Sequence, residues 1–291
     1  MSLHLLLVST AAQSKPDGGV ALLGADCNYE RIGGRKKEKD GKQHIDGYGS
    51  WTLCTSVLSR DTVVYAVGIG GDLSFDIDMI RQYGVTVYAF DLTMTRSQFQ
   101  VSTAIVNATV EELKRITFFP FGMGGSDDVV PFYRMKGRAK MMSTVPGTNF
   151  EPNPYVRAPI VRLQTMLHMT GHRRVDVLKV DVEGTEYAIF DDNALGWLSS
   201  APPTQIAIEY HATMFGLSSN RTAGGTNAVT NRLARCGYAL RWKGTDDTFL
   251  YVRTRDVSHH ECTGASGGRP NKHGSQGIQH HLSHAPPAAL L

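Results

Sequence analysis

Residues 63–71 read VVYAVGIGG, and this stretch indicates the fold. Five apolar residues in a row, three of them β-branched, are typical of a strand that is buried on both faces of a parallel sheet. Gly68 and Gly70 interrupt the run and would let a ligand approach the backbone closely. The stretch therefore predicts a central strand followed by a ligand-binding turn.

The residues after this turn complete a strand–helix–strand unit. Apolar residues recur at helical spacing from Phe75 to Tyr83, and Gly84 suits the end of a helix. Residues 85–90 form the next apolar run, which ends at Asp91. Further stretches with strand character are 116–121, 129–133, 175–180, 205–210, 238–242 and 248–252.

This order of elements predicts an α/β protein with a Rossmann-like fold. We expect a mostly parallel, seven-stranded sheet that ends in a C-terminal antiparallel hairpin around residues 243–247. Composition divides the chain into an N-terminal extension (1–50), the domain (51–253) and a disordered Gly/Ser/His-rich tail (254–291). Residues 135–159 hold four prolines and predict a long loop that shapes a pocket.

Charge and composition exclude several classes of partner. The net charge of the 291 residues is only +3, too mild to predict a nucleic-acid partner. No stretch is long and apolar enough to predict a membrane span. None of the four cysteines forms a CxxC pair, although one bridge, such as Cys27–Cys54, fits a secreted protein. The short apolar start at residues 1–8 leaves the cytoplasm and the secretory lumen both open.

Asp91 forms the first candidate site together with the glycine turn. It lies twenty-three residues after Gly68, where an acidic residue can accept hydrogen bonds from both ribose hydroxyls of a nucleotide. A dinucleotide fingerprint needs a third glycine where this chain has Leu73. S-adenosylmethionine carries no phosphate and fits better. Asp72 or Asp76 are candidates to hold its ammonium group, or to stabilise a helix start.

The second candidate site is residues 179–186, which read KVDVEGTE. Asp181, Glu183 and Glu186 follow a predicted strand, at the sheet edge where α/β proteins bind ligands. Carboxylates this close repel each other and raise one another's pKa values unless a cation, a donor or a substrate offsets them. Glu186 also suits the start of a helix. The crowding favours a functional role.

Residues 179–186 resemble the K-[IV]-D-[VI]-E-G-x-E signature of the FkbM-type methyltransferases. The turn at Gly68, the strand end at Asp91 and residues 208–211 (IEYH) follow in that family's order. The resemblance covers residues 60–253 and is greatest to a methyltransferase-like eukaryotic branch, in which a YGSW segment (48–51 here) precedes the first strand. It implies a class I methyltransferase fold, S-adenosylmethionine as donor, and methyl transfer, often to oxygen.

The resemblance also implies roles for single residues. Gly68 and Gly70 would border the cofactor, and Asp91 would hold its ribose. Asp181 and Glu183 would face the methyl group. The family commonly has an acidic residue two positions before the first glycine, where this chain has Ala66, and this departure affects the contact to the methionine ammonium group.

An oxygen or nitrogen acceptor must lose its proton during methyl transfer, so the site needs a general base. Asp181 is the candidate general base or metal ligand, supported by Glu183, and His211 is a second candidate base. His168 and His172 have helical spacing but no third ligand, so no metal site is predicted.

Three functions follow from these residues. The first is methyl transfer to an acceptor that we expect to be a small molecule or a glycan rather than a protein. The second is a non-catalytic S-adenosylmethionine-binding or interaction protein that retains the fold, which Ala66 favours. The third, a nicotinamide-dependent oxidoreductase, is disfavoured by Leu73 and by the terminal hairpin.

Overall fold

The structure, a computed structural model, describes residues 27–34, 36–39, 42–45, 49–192, 195–211, 219–245 and 247–263. Within these residues the strands are, in chain order, β1 (Tyr29–Gly33), β2 (Lys36–Lys39), β3 (Lys42–Ile45), β4 (Ser50–Cys54), β5 (Val63–Val67), β6 (Thr86–Phe90), β7 (Ile116–Phe119), β8 (Gly122–Met123), β9 (Asp128–Met135), β10 (Arg138–Ser143), β11 (Val156–Val161), β12 (Val177–Val180), β13 (Gln205–Glu209), β14 (Tyr238–Lys243) and β15 (Thr248–Arg253). The helices are α1 (Ser74–Tyr83), α2 (Arg96–Ile105), α3 (Val110–Leu113), α4 (Leu163–Thr170), α5 (Glu186–Ile189), α6 (Gly196–Ser200), α7 (Ser219–Arg235) and α8 (His259–Thr263).

The central sheet has the strand order β14-β15-β13-β12-β5-β6-β7. Its strands from β13 to β7 are parallel, and β15 and β14 add an antiparallel hairpin. The predicted α/β class with a mixed sheet is confirmed. The order of strands reverses between β5 and β12, and in open α/β sheets the carboxyl ends of the strands at such a point leave a crevice for a ligand.

The side chains of the central strands point alternately to the two faces of the sheet, and each face is covered by a buried apolar cluster. Tyr65 and Val67 pack into one buried cluster, whereas Val64 and Ala66 pack into the other. Successive side chains of a strand point to opposite faces, so a strand that is covered on both sides is apolar throughout. This explains why the run at 63–67 carries no polar residue.

The helices beside the sheet agree with the sequence pattern in part. Helix α1 ends at Gly84 in the left-handed conformation, as predicted. Helices α2 and α3, which the sequence analysis did not predict, each begin with a capping box, at Thr95 and Thr109.

A second, four-stranded sheet replaces part of the long loop predicted at 135–159. Its order is β10-β9-β11-β8, and β10 lies wholly, β11 partly and β9 by its last residue in that range. Strand β11 alternates between exposed residues and the buried Ala158 and Ile160, a period that Pro159 obscured in the sequence. The prediction of an irregular loop was wrong there because strand pairing overrode the low propensity of Pro159, which lies opposite Val129.

Two disulfides join segments near the ends of the described chain to the domain. Cys27 bonds to Cys54, with 5.6 Å between their Cα atoms, and strand β1 pairs with β4. Cys262 of α8 bonds to Cys236, at a Cα separation of 4.2 Å. Ile32 and Cys262 are both buried. Ordered structure therefore extends beyond residues 51–253 on both sides.

Several sequence predictions concern residues outside the described ranges. These are the apolar start at 1–8, Tyr48 of the YGSW segment, and most of the tail, from residue 264 onward. In the part of the chain that is described, no helix combines the length and the apolar character needed to cross a bilayer.

Helix α1 places a carboxylate in the core. Asp76 is 1% exposed, and its Oδ1 atom has no hydrogen-bond partner among the described residues. Burial raises the pKa of Asp76 to about 6, against the opposing charge of Lys179. The Lys179 ammonium is also buried, 4.6 Å from the centre of the Trp51 ring. Ionised Asp76 is thus less favourable in the folded state than in the unfolded chain.

Replacement of Cys236 and Cys262 by serine should lower the free energy of unfolding by about 3 kcal/mol, because the unfolded chain gains the freedom of an open loop. Urea unfolding of both proteins measures the difference. In dithiothreitol the parent and the variant should converge, since neither then contains a disulfide. Equal stability without reductant would contradict the Cys236–Cys262 bond.

The difference in unfolding free energy between Asp76→Asn and the parent should shift in favour of the variant as pH rises. The pKa of Asp76 is higher in the folded state, so its stabilising effect is complete below about pH 4 and is lost as pH rises through about 6. The amide has no such dependence, and the variant should gain about 3 kcal/mol over the parent between pH 4 and pH 7. Denaturant unfolding at both pH values tests this, and an unchanged difference would exclude a raised pKa.

Candidate functional site

Two glycines after β5 shape the crevice. Gly68 has a φ of 75°, and a Cβ atom there would lie 1.6 Å from the carbonyl oxygen of Asp181. Gly70 has a φ of 55°, and a Cβ atom there would meet nothing within 4 Å. The first glycine therefore permits close contact between the ends of β5 and β12. The second leaves open space beside the backbone.

Asp91 ties the glycine turn to the end of β6. Its Oδ2 atom accepts hydrogen bonds from the backbone N–H groups of Ile69 (3.0 Å) and Gly70 (2.8 Å). Its Oδ1 atom accepts from the backbone and the hydroxyl of Thr93 (2.7 and 2.6 Å). Four donors thus hold one buried carboxylate, which makes Asp91 a brace of the turn as well as part of the crevice lining.

One cleft brings together five of the seven predicted site residues. Its described lining includes Gly68, Gly70, Asp91, Asp181 and Glu183. The five come from three neighbouring strand ends, of β5, β6 and β12. The parallel arrangement of these strands explains the convergence, because their carboxyl ends share one edge of the sheet.

Asp72 lies in an adjoining cavity of about 1160 Å³. The two spaces share Gly70, Thr93 and Glu183 in their linings. Asp72 Oδ1 accepts a hydrogen bond from the Ser74 backbone N–H at 3.0 Å, at the start of α1. Asp72 therefore stabilises the start of the helix, which was one of its two predicted roles. Its position beside the cleft is also compatible with the other role, contact to the ammonium group of a cofactor.

The segment after β12 carries Asp181 and Glu183 in a tight turn. Glu183 has a φ of 52°, a conformation that is uncommon for a residue with a side chain. Lys179 Nζ lies 3.6 Å from Asp181 Oδ2 and donates a hydrogen bond to the Gly68 carbonyl at 2.6 Å. A buried lysine therefore offsets part of the negative charge and links the two strand ends.

His211, after β13, completes the group. Its Nδ1 atom lies 2.9 Å from Glu186 Oε1. Its Nε2 atom lies 3.6 Å from Asp181 Oδ1, 3.6 Å from Glu183 Oε2 and 3.7 Å from Glu209 Oε1. The histidine thus contacts four carboxylates, three of which belong to the KVDVEGTE segment.

Burial and neighbouring charges shift the pKa values of His211 and Glu209. Burial lowers the pKa of His211, but the hydrogen bond and charge of Glu186, with Asp181 and Glu183, outweigh it and raise that pKa to about 10. Burial and the charge of Asp181 raise the pKa of Glu209 to about 7. The protein's own charges therefore favour the protonated form of His211.

Glu209 and Lys179 are the two members of this group that the sequence analysis did not identify as site residues. Glu209 lies two residues before His211, and alternate residues of a strand share one face. That spacing was the available signal. Lys179 lies inside an apolar strand, where a charged residue needs a partner, and this was a second signal.

Two methyltransferases are among the solved structures that are similar to this chain. One is a methyltransferase FkbM from Methylobacillus flagellatus KT, with 18% identity, a TM-score of 0.42, and coverage of 69% of this chain and 46% of that chain. The other is human methyltransferase-like protein 13 in complex with SAH, with 11% identity, a TM-score of 0.36, and coverage of 72% and 86%. This chain thus spans about half the length of the bacterial protein. No curated protein matches the sequence.

The family model described as "Methyltransferase FkbM domain" matches residues 68–240, more than half of the chain. The match begins at Gly68 and includes Asp91, the KVDVEGTE segment and His211. The resemblance inferred from the motif is therefore confirmed. The chain belongs to the FkbM methyltransferase family.

Proposed function

We propose that this protein transfers the methyl group of S-adenosylmethionine to an oxygen of a small molecule or glycan. The observation that carries the proposal is the cleft at the ends of β5, β6 and β12. Its described lining includes the carboxylates of Asp91, Asp181 and Glu183, and no lysine or arginine. Such a lining favours a cationic ligand over a pyrophosphate, because like charges in a cleft repel.

The cleft residues fit the donor. S-adenosylmethionine carries a sulfonium and an ammonium group, and it has no phosphate. Gly70 leaves open space beside the turn, against which the nucleoside can lie. Asp91 would hold the ribose hydroxyls, and Asp181 and Glu183 would lie near the sulfonium. Asp72, in the adjoining cavity, would hold the ammonium group in place of an acidic residue at position 66.

The second sheet supports a site for the acceptor. Phe132, Met142 and Ile160 from this sheet line the cleft together with the glycine turn. Met142 belongs to the range 135–159 that the sequence analysis assigned to a pocket wall. The adjoining cavity of about 1160 Å³ is large enough for a drug-sized molecule or a sugar unit.

Methyl transfer needs the acceptor oxygen in line with the sulfonium and close to the methyl carbon. As the O–CH₃ bond forms, the S–CH₃ bond breaks and the sulfur becomes a neutral thioether. The acceptor hydroxyl loses its proton to a carboxylate of Asp181 or Glu183, which are both partly exposed in the cleft.

A second candidate function is binding of S-adenosylmethionine without catalysis. Ala66 favours it, because this residue is fully buried opposite Lys179 and offers no contact to an ammonium group. The two functions share the cofactor and differ in turnover, so binding and transfer must be measured separately.

Asp91→Ala should weaken the binding of S-adenosylhomocysteine by about 10- to 100-fold, since the carboxylate that braces the glycine turn through four hydrogen bonds is lost, and with it the proposed contact to the ribose. Isothermal titration measures the affinity. Asp61→Ala is a matched control, because Asp61 is an exposed aspartate at the opposite end of β5. Undiminished affinity in Asp91→Ala would refute this cofactor site, and binding of NAD by the parent would favour the oxidoreductase.

Asp181→Asn should reduce transfer of a tritiated methyl group to the small-molecule or glycan fraction of a cell extract by about 100-fold or more. The amide keeps the shape of the side chain but cannot take the proton. Asp61→Asn should transfer at the rate of the parent. If the parent binds S-adenosylhomocysteine and labels nothing, the non-catalytic alternative is correct.

A further inference from the structure

We propose that Asp181, Glu183 and His211 bind a divalent transition-metal cation, with Mn²⁺ and Zn²⁺ as the ions best suited to this mixed nitrogen and oxygen set. One ligand atom from each residue lies within 4.8 Å of the other two. Their strands, β12 and β13, are parallel neighbours, so the three side chains meet at one edge of the sheet. The sequence identified Asp181 as a candidate metal ligand but predicted no complete metal site, because His211 follows a different strand.

The orientation of His211 supports coordination through Nε2. Its Nδ1 atom faces Glu186 Oε1 at 2.9 Å, and a carboxylate oxygen can only accept at that distance, so Nδ1 donates. A carboxylate that orients a histidine in this way is the usual outer partner of a metal ligand. The Nε2 atom then faces the carboxylates of Asp181 and Glu183.

The distances from His211 Nε2 to the two carboxylates are longer than those of a hydrogen bond. Nε2 lies 3.6 Å from Asp181 Oδ1 and 3.6 Å from Glu183 Oε2. An N–H···O hydrogen bond would bring these atoms to about 2.7–3.2 Å. Ligands of a tetrahedral ion with bonds of about 2.1 Å lie about 3.4 Å apart. The observed spacing is thus closer to that of a shared ion.

Charge also favours a cation. Glu209 Oε1 lies 3.7 Å from the same nitrogen and is a candidate fourth ligand. Four carboxylates therefore surround His211, and Lys179 pairs with one of them, Asp181. A divalent ion would offset more of this charge than a single proton does.

Glu186 provides an independent indication. The residue is 0% exposed, and Oε1 accepts hydrogen bonds from the Val182 backbone N–H (3.1 Å) and from His211. The Oε2 atom of this same carboxylate is buried without a hydrogen-bond partner among the described residues. Burial of a carboxylate oxygen without a hydrogen bond costs free energy unless a nearby positive charge stabilises the carboxylate.

The role of the ion rests on the proposed function. A bound cation would hold the acceptor hydroxyl and lower its pKa, so that its proton passes to water. The oxygen then attacks the methyl carbon, the S–CH₃ bond breaks, and the sulfonium becomes a thioether. The carboxylates of Asp181 and Glu183 would in that case act as ligands. Acceptors with a free hydroxyl group are the matching substrate class.

Titration of the full-length, chelator-treated protein with Mn²⁺, followed by electron paramagnetic resonance of the free ion, tests the site. We expect one ion per chain with micromolar affinity. Glu183→Gln and His211→Gln should each weaken that binding by at least about tenfold. Thermal melts of both variants confirm folding, and Glu183→Gln, at a partly exposed position, is the safer of the two.

Two controls separate this site from other ligands. His168→Gln removes an exposed histidine of α4, and Asp61→Asn removes an exposed aspartate; neither should change the affinity. Six of the eleven histidines lie in residues 254–291, and they are present in every variant. Equal Mn²⁺ binding by the parent and Glu183→Gln, or no binding by the parent, would overturn the proposal.

A parallel titration with S-adenosylhomocysteine distinguishes this inference from the proposed function. Binding of the nucleoside without binding of Mn²⁺ means that the metal site is wrong and the cofactor site stands. Binding of Mn²⁺ that depends on Glu183, without binding of the nucleoside, means that the metal site stands and the proposed function is wrong.

Discussion

The close contact between the ends of β5 and β12 is the constraint on which the site depends. The backbone of Gly68 approaches the carbonyl of Asp181 so closely that a methyl group would overlap it. Lys179 Nζ bonds to the Gly68 carbonyl across the same junction. Because the strand order reverses there, the two halves of the sheet present their loops to one cleft. Gly68, Gly70, Asp91, Asp181 and Glu183 line that cleft.

Such convergence concentrates negative charge, and the protein offsets it in two ways. Lys179 is buried under Trp51 and faces both Asp181 and Asp76. His211 lies among four carboxylates, one of which is Asp181 as well. Carboxylates held close together in a partly dry cleft cost stability by themselves, and they favour a cationic ligand in return. The same feature underlies both the proposed donor and the proposed metal ion.

The remaining elements cover and anchor this arrangement. The second sheet adds apolar side chains such as Met142 and Ile160 to the cleft. The disulfides attach β1 and α8 to the domain, at Cys54 and Cys236. The sequence pointed to neither the second sheet nor the Cys236–Cys262 bond. Prolines concealed the alternation of the strands, and a disulfide depends on a proximity in space that cysteine spacing does not reveal.

The sequence alone determined the parts that depend on local order: the buried strand at 63–67, the glycine turn, Asp91 at the next strand end, and the family motif at 179–186. These signals are local because periodicity and turn chemistry act over a few residues. Only the tertiary structure decided that Asp91 braces the turn, that Glu209 and Glu186 join His211, and that Lys179 lies beneath them. Those contacts link strand ends far apart in the chain, and their distances follow from how the sheet pairs.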